Sequence, residues 1–345
     1  MLSVITLEKA DDWDGIVKSF GNYDVCYLSG YAKAFSIRGD GEPMLLYYKN
    51  GSTRAMNVVF KRDIAVSNPF RDILPKNTFF DLSTPYGYGG FWVEGDAFEL
   101  VNQAYDRFCI DQGFVSEFVR FHLFGDYRLH YSGMVETRTN NVVRSLDSSL
   151  DDILKDFKHK VRKNLQRAED SGLSIELDAT ATRLDDFMTV YYGTMDRTEA
   201  TTDFYFTEEF FEALNEMAGN YMYFHVMYEG QVIATELVLY GTENSYSFLG
   251  GTNGDFFHLR PNDFLKYEII KWAKRQGLRR FVLGGGYGAD DGIFRYKRSF
   301  APNGVVPFYI GKRILDKDKY DKLVKLRSDE DISERSMSFF PEYRS

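Results

Sequence analysis

The stretch Phe281-Val-Leu-Gly-Gly-Gly-Tyr-Gly-Ala-Asp-Asp-Gly-Ile-Phe-Arg-Tyr-Lys-Arg-Ser-Phe300 runs from an apolar segment through a glycine-rich loop into a turn where aromatic and basic residues alternate. Phe281 to Leu283 reads as a buried strand. Glycines let backbone amides approach a ligand and adopt positive φ at little steric cost, which makes Gly285 a candidate ligand contact. Arg295, Lys297 and Arg298 suit a negatively charged group, and Phe294, Tyr296 and Phe300 suit shielding it from water. That order fits transfer of a group from a polyanionic donor. A plain glycine turn followed by an amphipathic segment fits the same residues.

Such a site needs elements to hold it, and the chain supplies them twice. Met44 to Lys61 reads as two strands joined at Asn50-Gly51, a dipeptide that favours a type I′ turn. Tyr221 to Tyr240 repeats the plan around Glu229-Gly230. Each hairpin precedes another strand, a helix and a strand: Thr78 to Asp81, Ala97 to Gln112 and Val115 to Phe121, then Ser245 to Leu249, Asn262 to Gln276 and Arg280 to Leu283. Gly113 and Gly277 stand where a left-handed residue ends a helix. Residue identity between the halves is slight, so the repeat is one of pattern.

Between the halves, Leu150 to Gly172 carries apolar residues at helical spacing. Its other face bears Lys155, Lys158, Lys160, Arg162, Lys163 and Arg167, either a solvated surface or an anion-facing one. Helices are expected over Leu184 to Asp196 and Glu208 to Gly219. The tail ends Phe339-Phe340-Pro341-Glu342-Tyr343-Arg344, and a helix with a docked end is expected, since two exposed phenylalanines are unusual at a terminus.

At 345 residues the chain exceeds the usual single core. Aromatic content of 17%, with 24 tyrosines and 30 phenylalanines, suggests thick sheets and partly wet clefts. A net charge of −9 argues against general coating of nucleic acid or anionic membrane while leaving room for a local basic groove. Cys26 and Cys109 are too few for a disulfide framework, and five histidines outside any metal-binding spacing disfavour a catalytic metal. The amino terminus lacks signal-peptide character and no run approaches the roughly 18 apolar residues of a membrane span. A reduced, cytoplasmic protein is expected.

The second half resembles the peptidoglycan-bridge aminoacyltransferases of the Fem family, whose domains are variants of the GNAT acyltransferase fold. The resemblance rests on Lys160-Val-Arg162 to Ala168-Glu-Asp-Ser-Gly172, Tyr192-Gly-Thr-Met-Asp-Arg197, Ser245-Tyr-Ser-Phe-Leu-Gly-Gly-Thr252, Arg260-Pro-Asn-Asp-Phe-Leu265 and Gly292-Ile-Phe-Arg-Tyr-Lys-Arg-Ser-Phe300. It covers Leu150 to Ile314. Asp81-Leu-Ser-Thr-Pro-Tyr-Gly-Tyr-Gly-Gly90 and Glu117-Phe-Val-Arg120 add the look of a GNAT or Fem-like branch in the first half.

The fold this implies is α/β with mixed sheets: two tandem GNAT-like domains, 1–145 on the acceptor side and 146–314 on the donor and catalytic side, with a helical tail over 315–345. The family joins an amino acid from aminoacyl-tRNA to an amine of a cell-wall precursor with no tightly bound cofactor, while its GNAT cousins use acyl-CoA. The resemblance places Lys297 on the family's basic position, with Tyr296 standing in for a phenylalanine, Arg197 after the threonine-containing helix end, and Tyr246 on an aromatic strand lining the cleft. Three departures stand out. Leu283-Gly-Gly-Gly286 replaces a tryptophan-glycine segment, no long coiled-coil arm is present, and His258-Leu-Arg-Pro-Asn-Asp263 occupies the place of the GNAT pyrophosphate signature.

Lys297 is the candidate for stabilising an oxyanion or holding donor phosphate and ribose, against a surface lysine beside aromatic packing. Arg197 fits a carboxylate or phosphate clamp, or a pair with Asp196, Glu199 or Asp203. Tyr246 fits a proton relay or core packing. Asp290 and Asp291 are base candidates but more naturally turn formers. Tyr86, Tyr88 and Arg120 are the candidates for acceptor binding. Asn262 is expected to cap the following helix. The leading reading is an aminoacyltransferase acting on a cell-envelope precursor, with acyl-CoA-dependent N-acetylation of a nucleotide-sugar or polysaccharide intermediate as the alternative. A non-catalytic glycan- or tRNA-binding module is the third.

Overall fold

A computed structural model describes residues 1–286, 288, 290–330 and 339–345. In chain order the elements begin β1 (Leu2–Thr6), α1 (Ala10–Ser19), α2 (Ser29–Ile37), β2 (Glu42–Asn50), β3 (Thr53–Asp63), β4 (Phe80–Ser83), β5 (Trp92–Glu94), α3 (Phe98–Gln112) and β6 (Ser116–Arg120). They continue with β7 (Met134–Ser145), α4 (Leu150–Asp156), α5 (His159–Asp170), β8 (Ser174–Asp178), α6 (Leu184–Arg197), α7 (Glu208–Asn215), β9 (Tyr221–Tyr228), β10 (Gln231–Tyr240) and β11 (Asn244–Thr252). Last come α8 (Pro261–Arg275), β12 (Arg280–Gly284), α9 (Gly292–Arg298), β13 (Val305–Ile314) and α10 (Lys317–Glu330).

Two compact units form. The first comprises Met1–Phe20, Cys26–Arg138 and Phe308–Ser345, and the second comprises Gly21–Val25 and Thr139–Pro307. In the first the strands run β1-β2-β3-β4-β6-β13 with β5 on β3, and in the second β8-β9-β10-β11-β12-β7. Each has a single parallel pair, β4 with β6 and β11 with β12, in the corresponding place. The sequence repeat is therefore a repeat of topology, and the expected α/β fold with mixed sheets in two like units stands.

Both sheets are finished by a strand from elsewhere in the chain. β13 follows β12 in sequence yet pairs with β6 over Ile310↔Arg120 to Ile314↔Ser116, and β7 follows β6 yet pairs with β12 over Arg280↔Ser145 to Gly284↔Val142. The division at 145/146 and a separate segment at 315–345 do not match these units. Val142 to Ser145 belong to the second, and α10 with the ordered tail belongs to the first.

The hairpins form with their turn chemistry exchanged. Asn50 pairs with Thr53, so Gly51 and Ser52 make the first turn and Gly51 alone has positive φ there. At the second, Glu229 and Gly230 both do, at +48° and +81°, the pattern of a type I′ turn. Gly113 ends α3 in the left-handed region, as expected.

The second core closes α5 and α8 over the sheet. Val161, Leu165 and Ala168 share one face of α5 and join Leu265, Ile269, Trp272 and, from β12, Phe281 and Leu283. The expected continuous helix from Leu150 is interrupted at Phe157-Lys158, where Phe157 turns extended and buries its ring edge-on to Phe300 and Tyr267. In the first unit Tyr343 is fully buried and Arg344 reaches Asp81, so the carboxyl end is docked. Phe340 stacks on Tyr320, whereas Phe339 stays 49% exposed.

Candidate active site in the second unit

The parallel strands β11 and β12 pair only at Asn244↔Arg280, Ser245↔Phe281 and Tyr246↔Val282. Beyond Tyr246, β11 stays with β10 as far as Thr252↔Ala234, while β12 stays with β7. The sheet therefore parts at the carboxyl ends of its parallel strands, the usual place for a ligand in an α/β sheet. Glycines let the edges of this opening pack. A side chain at Gly250 would come within 2.6 Å of the Thr235 carbonyl and 3.3 Å of Glu236 Cβ. One at Gly251 would meet α6 at the Val190 carbonyl, 2.5 Å away.

A charged cluster sits at the opening. Lys266 reaches out from α8 to the Glu236 carboxylate on β10 and donates to Ser247 Oγ at 2.7 Å, one residue past the last β11–β12 pair. Glu236 is 4% exposed. Lys297, on α9, donates to the Gly285 carbonyl at 2.6 Å, and its Nζ would lie 3.3 Å from a side chain at Gly284, which has φ of +84°. Burial, then the charge of Lys266, pulls the Lys297 ammonium down to about 8, against the opposing pull of Glu236 and Asp291. Next to it, burial first and then Asp263 and Glu236 push the Tyr296 phenol well above the tyrosine range.

Asp291 is a helix cap: its carboxylate accepts from the Phe294 N–H at 2.7 Å and the Gly288 N–H at 2.9 Å. The turn-forming reading of that residue holds. Asn262 is not the cap of its helix. α8 starts at Pro261, with left-handed Arg260 ahead of it, and the Asn262 side chain accepts from the Thr252 hydroxyl instead. Asp263, in the first turn, is pushed up to about 6 by burial, against the pull of Asn164, Arg260 and Lys160.

Of the sequence candidates, Lys297, Tyr296 and Gly285 come together here. Tyr246 does not join them: its hydroxyl donates to Asp24 Oδ2 at 2.6 Å, a buried carboxylate that also takes the Asn244 amide at 2.8 Å. It is a structural tie rather than a cleft residue. Arg162 is spent on the helix break, where its guanidinium donates to the carbonyls of Lys155 and Phe157 and satisfies the end of α4. Arg295 is exposed and paired with Asp290. Arg197 is exposed with its guanidinium 4.8 Å from the Phe257 ring centre, and no ion pair with Asp196, Glu199 or Asp203 is present. Glu236, Lys266 and Ser247 escaped sequence reasoning. A single acid within the apolar run of β10 was the available signal, since a buried carboxylate needs a partner.

In the first unit the corresponding gap is filled by the chain itself. After β4, the Thr84 N–H donates to Phe118, and the loop turns back so that the Gly89 carbonyl accepts from the His122 N–H at 2.8 Å. Tyr86 is 47% exposed and stacks on Phe35, while Tyr88 meets Phe308 and His122 edge-on. Arg120 donates to Ser83 Oγ and the Thr84 carbonyl, and burial with nearby Arg62 lowers it to about 10.

Residues 155–298 match the family model described as an acetyltransferase (GNAT) domain. The matched stretch lies wholly within the second unit. The likeness of fold extends over both units: a structure of FemX aligns with TM-score 0.70 at 15% identity, covering 93% of this chain and 99% of that one. A Bacteroides thetaiotaomicron protein of unknown function aligns at 0.60 and 12%, covering 91% and 100%. The C-terminal domain of an Agrobacterium fabrum protein, provisionally assigned as a lysylphosphatidylglycerol synthetase, aligns at 0.57 and 14%, covering 91% and 92%. No curated protein matches the sequence. Among the described residues, no helix is long and apolar enough to cross a membrane, and no group of three or more His, Cys, Asp or Glu could hold a metal ion.

Proposed function

We propose that this acyltransferase takes an aminoacyl group from aminoacyl-tRNA and joins it to an amine of a cell-envelope precursor, in the cytoplasm, with the donor ester seated between β11 and β12. The observation that carries the reading is the parting of these strands beside a half-buried, charge-tuned lysine. The amine nitrogen attacks the ester carbonyl, the C–N bond forms, the C–O bond breaks, and the proton leaving the amine ends on the ribose hydroxyl. Lys297 spends one proton on Gly285 and has two left for the oxygen that becomes negative. A preorganised donor there is worth roughly 3 to 4 kcal/mol, and holding both reactants supplies several more. The likeness to FemX and to a lysylphosphatidylglycerol synthetase supports an aminoacyl donor and an envelope acceptor.

Acyl-CoA is the second reading, favoured by the acetyltransferase description of the matched domain. Against it stands Asp263, whose carboxyl occupies the first turn of α8, the helix end that would otherwise attract a pyrophosphate. Incubation with labelled aminoacyl-tRNA pools and, separately, acetyl-CoA decides between them by which donor turns over. Lys297→Met is expected to lose at least about tenfold in turnover with the fold intact; near-normal turnover removes Lys297 from the mechanism.

A further inference from the structure

Glu236 and Tyr296 each bury a polar atom that has no partner among the described residues. Glu236 Oε2 is held by Lys266, but among the described residues Oε1 has no donor and the Tyr296 hydroxyl has neither donor nor acceptor. Buried polar atoms are rarely left so, because each forfeits its bonds to water without replacement. These two belong to one neighbourhood: the Glu236 charge acts on the Tyr296 phenol, after burial and Asp263, and on Lys297, after burial and Lys266. Gly250 opposite Glu236 keeps the space over β11 free of a side chain. Behind the opening thus lie an unused buried acceptor, Glu236 Oε1, and an unused buried donor, the Tyr296 hydroxyl, in the electrostatic reach of the Lys297 ammonium. A carbonyl oxygen suits the donors. The acceptor asks for an N–H or O–H on the same ligand, a short reach from that carbonyl.

We infer that Glu236 selects the acyl group, its free Oε1 accepting a hydrogen bond from an amine on the carbon beside the transferred carbonyl. This rests on the donor site proposed above and adds to it a residue that reads the cargo rather than the carrier. Lys266 is then a positioning residue. It fixes one carboxylate oxygen with its ammonium, which Ser247 steadies, and leaves the other facing the ligand. A site built around a polar group rejects analogues lacking it far more strongly than an apolar pocket rejects a missing methylene, so acetyl and other plain acyl groups are excluded by an unmet carboxylate.

The test is binding of acceptor-stem RNA hairpins carrying 3′-amide-linked glycine, alanine, serine or lysine, each against its counterpart lacking the α-amine, measured by fluorescence anisotropy on the full chain. For the preferred amino acid the amine should tighten binding at least about tenfold in the wild type. In Glu236→Gln the ratio should fall towards one. Because a lone change can leave Lys266 buried and unpaired, the Glu236→Met, Lys266→Met double variant, which removes both partners, is measured alongside. A ratio near one in the wild type, or a tenfold ratio that survives in both variants, overturns the inference while leaving the RNA donor in place. Equal weakening of both members of each pair overturns it in favour of a general structural role. Failure of every hairpin to bind, with acetyl-CoA turned over, overturns the donor reading itself and the inference with it.

Discussion

Lys297 carries the sharpest pH signature of any residue proposed for the site. Its folded value, about 8, lies below the usual lysine value of 10.5, so the ammonium is lost in the folded protein while an unfolded chain keeps it. If the charged form stabilises the oxyanion, kcat/KM falls as pH rises through about 8, and a pH–rate profile flat to pH 10 refutes that role. Between about 8 and 10.5 the unfolded state binds more protons, so this group makes the fold more stable with rising pH across that window. Tyr246 makes the opposite kind of prediction. Tyr246→Phe removes a bond to the buried Asp24 carboxylate and should cost roughly 1.5 to 3 kcal/mol of stability without changing donor affinity in the hairpin assay. Loss of affinity with Tm unchanged would return it to the site. The glycine loop and the basic turn announced three cations, Arg295, Lys297 and Arg298, and the family resemblance singled out Lys297. Glu236 did not announce itself, because a carboxylate on a strand acquires meaning only from the lysine opposite, thirty positions along the chain.

Helix α5 shows how an element is misread when one side chain serves its interior. From Leu150 to Gly172 the apolar spacing is continuous, so the sequence reads as one helix with a basic face. The break at Phe157-Lys158 has no proline or glycine to mark it. It is made by Phe157 seeking the Phe300 and Tyr267 rings and by Arg162 collecting the carbonyls left behind. Arg162→Met should therefore lower unfolding free energy by roughly 1 to 3 kcal/mol and leave donor affinity alone. A selective loss of affinity at constant stability would instead restore the anion-binding role. Element types were legible in the hairpins, in α3 and in α8, where period and glycine stops agree. The turn residues were not, since Asn50-Gly51 is the better type I′ sequence and yet Glu229-Gly230 adopts the pattern. Register in each hairpin follows from which side chains the sheets bury, and a one-residue slip would turn them to the wrong face.

At the scale of the molecule, the two sheets have the same order and each borrows its last strand. The repeat was visible; the borrowing was not, because β7 follows β6 and β13 follows β12 in the chain, yet each pairs with the last strand of the other half. A fragment spanning 146–314 lacks the partner of β12 at Val142 to Ser145, and its open edge should aggregate. One beginning at Thr139 should remain monomeric by light scattering; equal behaviour of the two would discount the pairing. The clasp at the other end is chargeable to Asp81, fully buried beneath Arg62, Tyr343 and Arg344. Asp81→Ala should cost about 3 to 5 kcal/mol, read as a lower midpoint in denaturant, and an unchanged midpoint would show that the tail is held by its rings alone.

The borrowed strand also sets an order of events during synthesis. Domains commonly fold from the amino terminus as the ribosome proceeds, but the first unit begins at Met1 and cannot close its sheet until Ile310 to Ile314 reach β6. The second unit has all of its sheet once β12 has been made. The half that is born first is therefore completed last, and its unpaired β6 edge waits in the nascent chain for the whole time that the catalytic half is being translated.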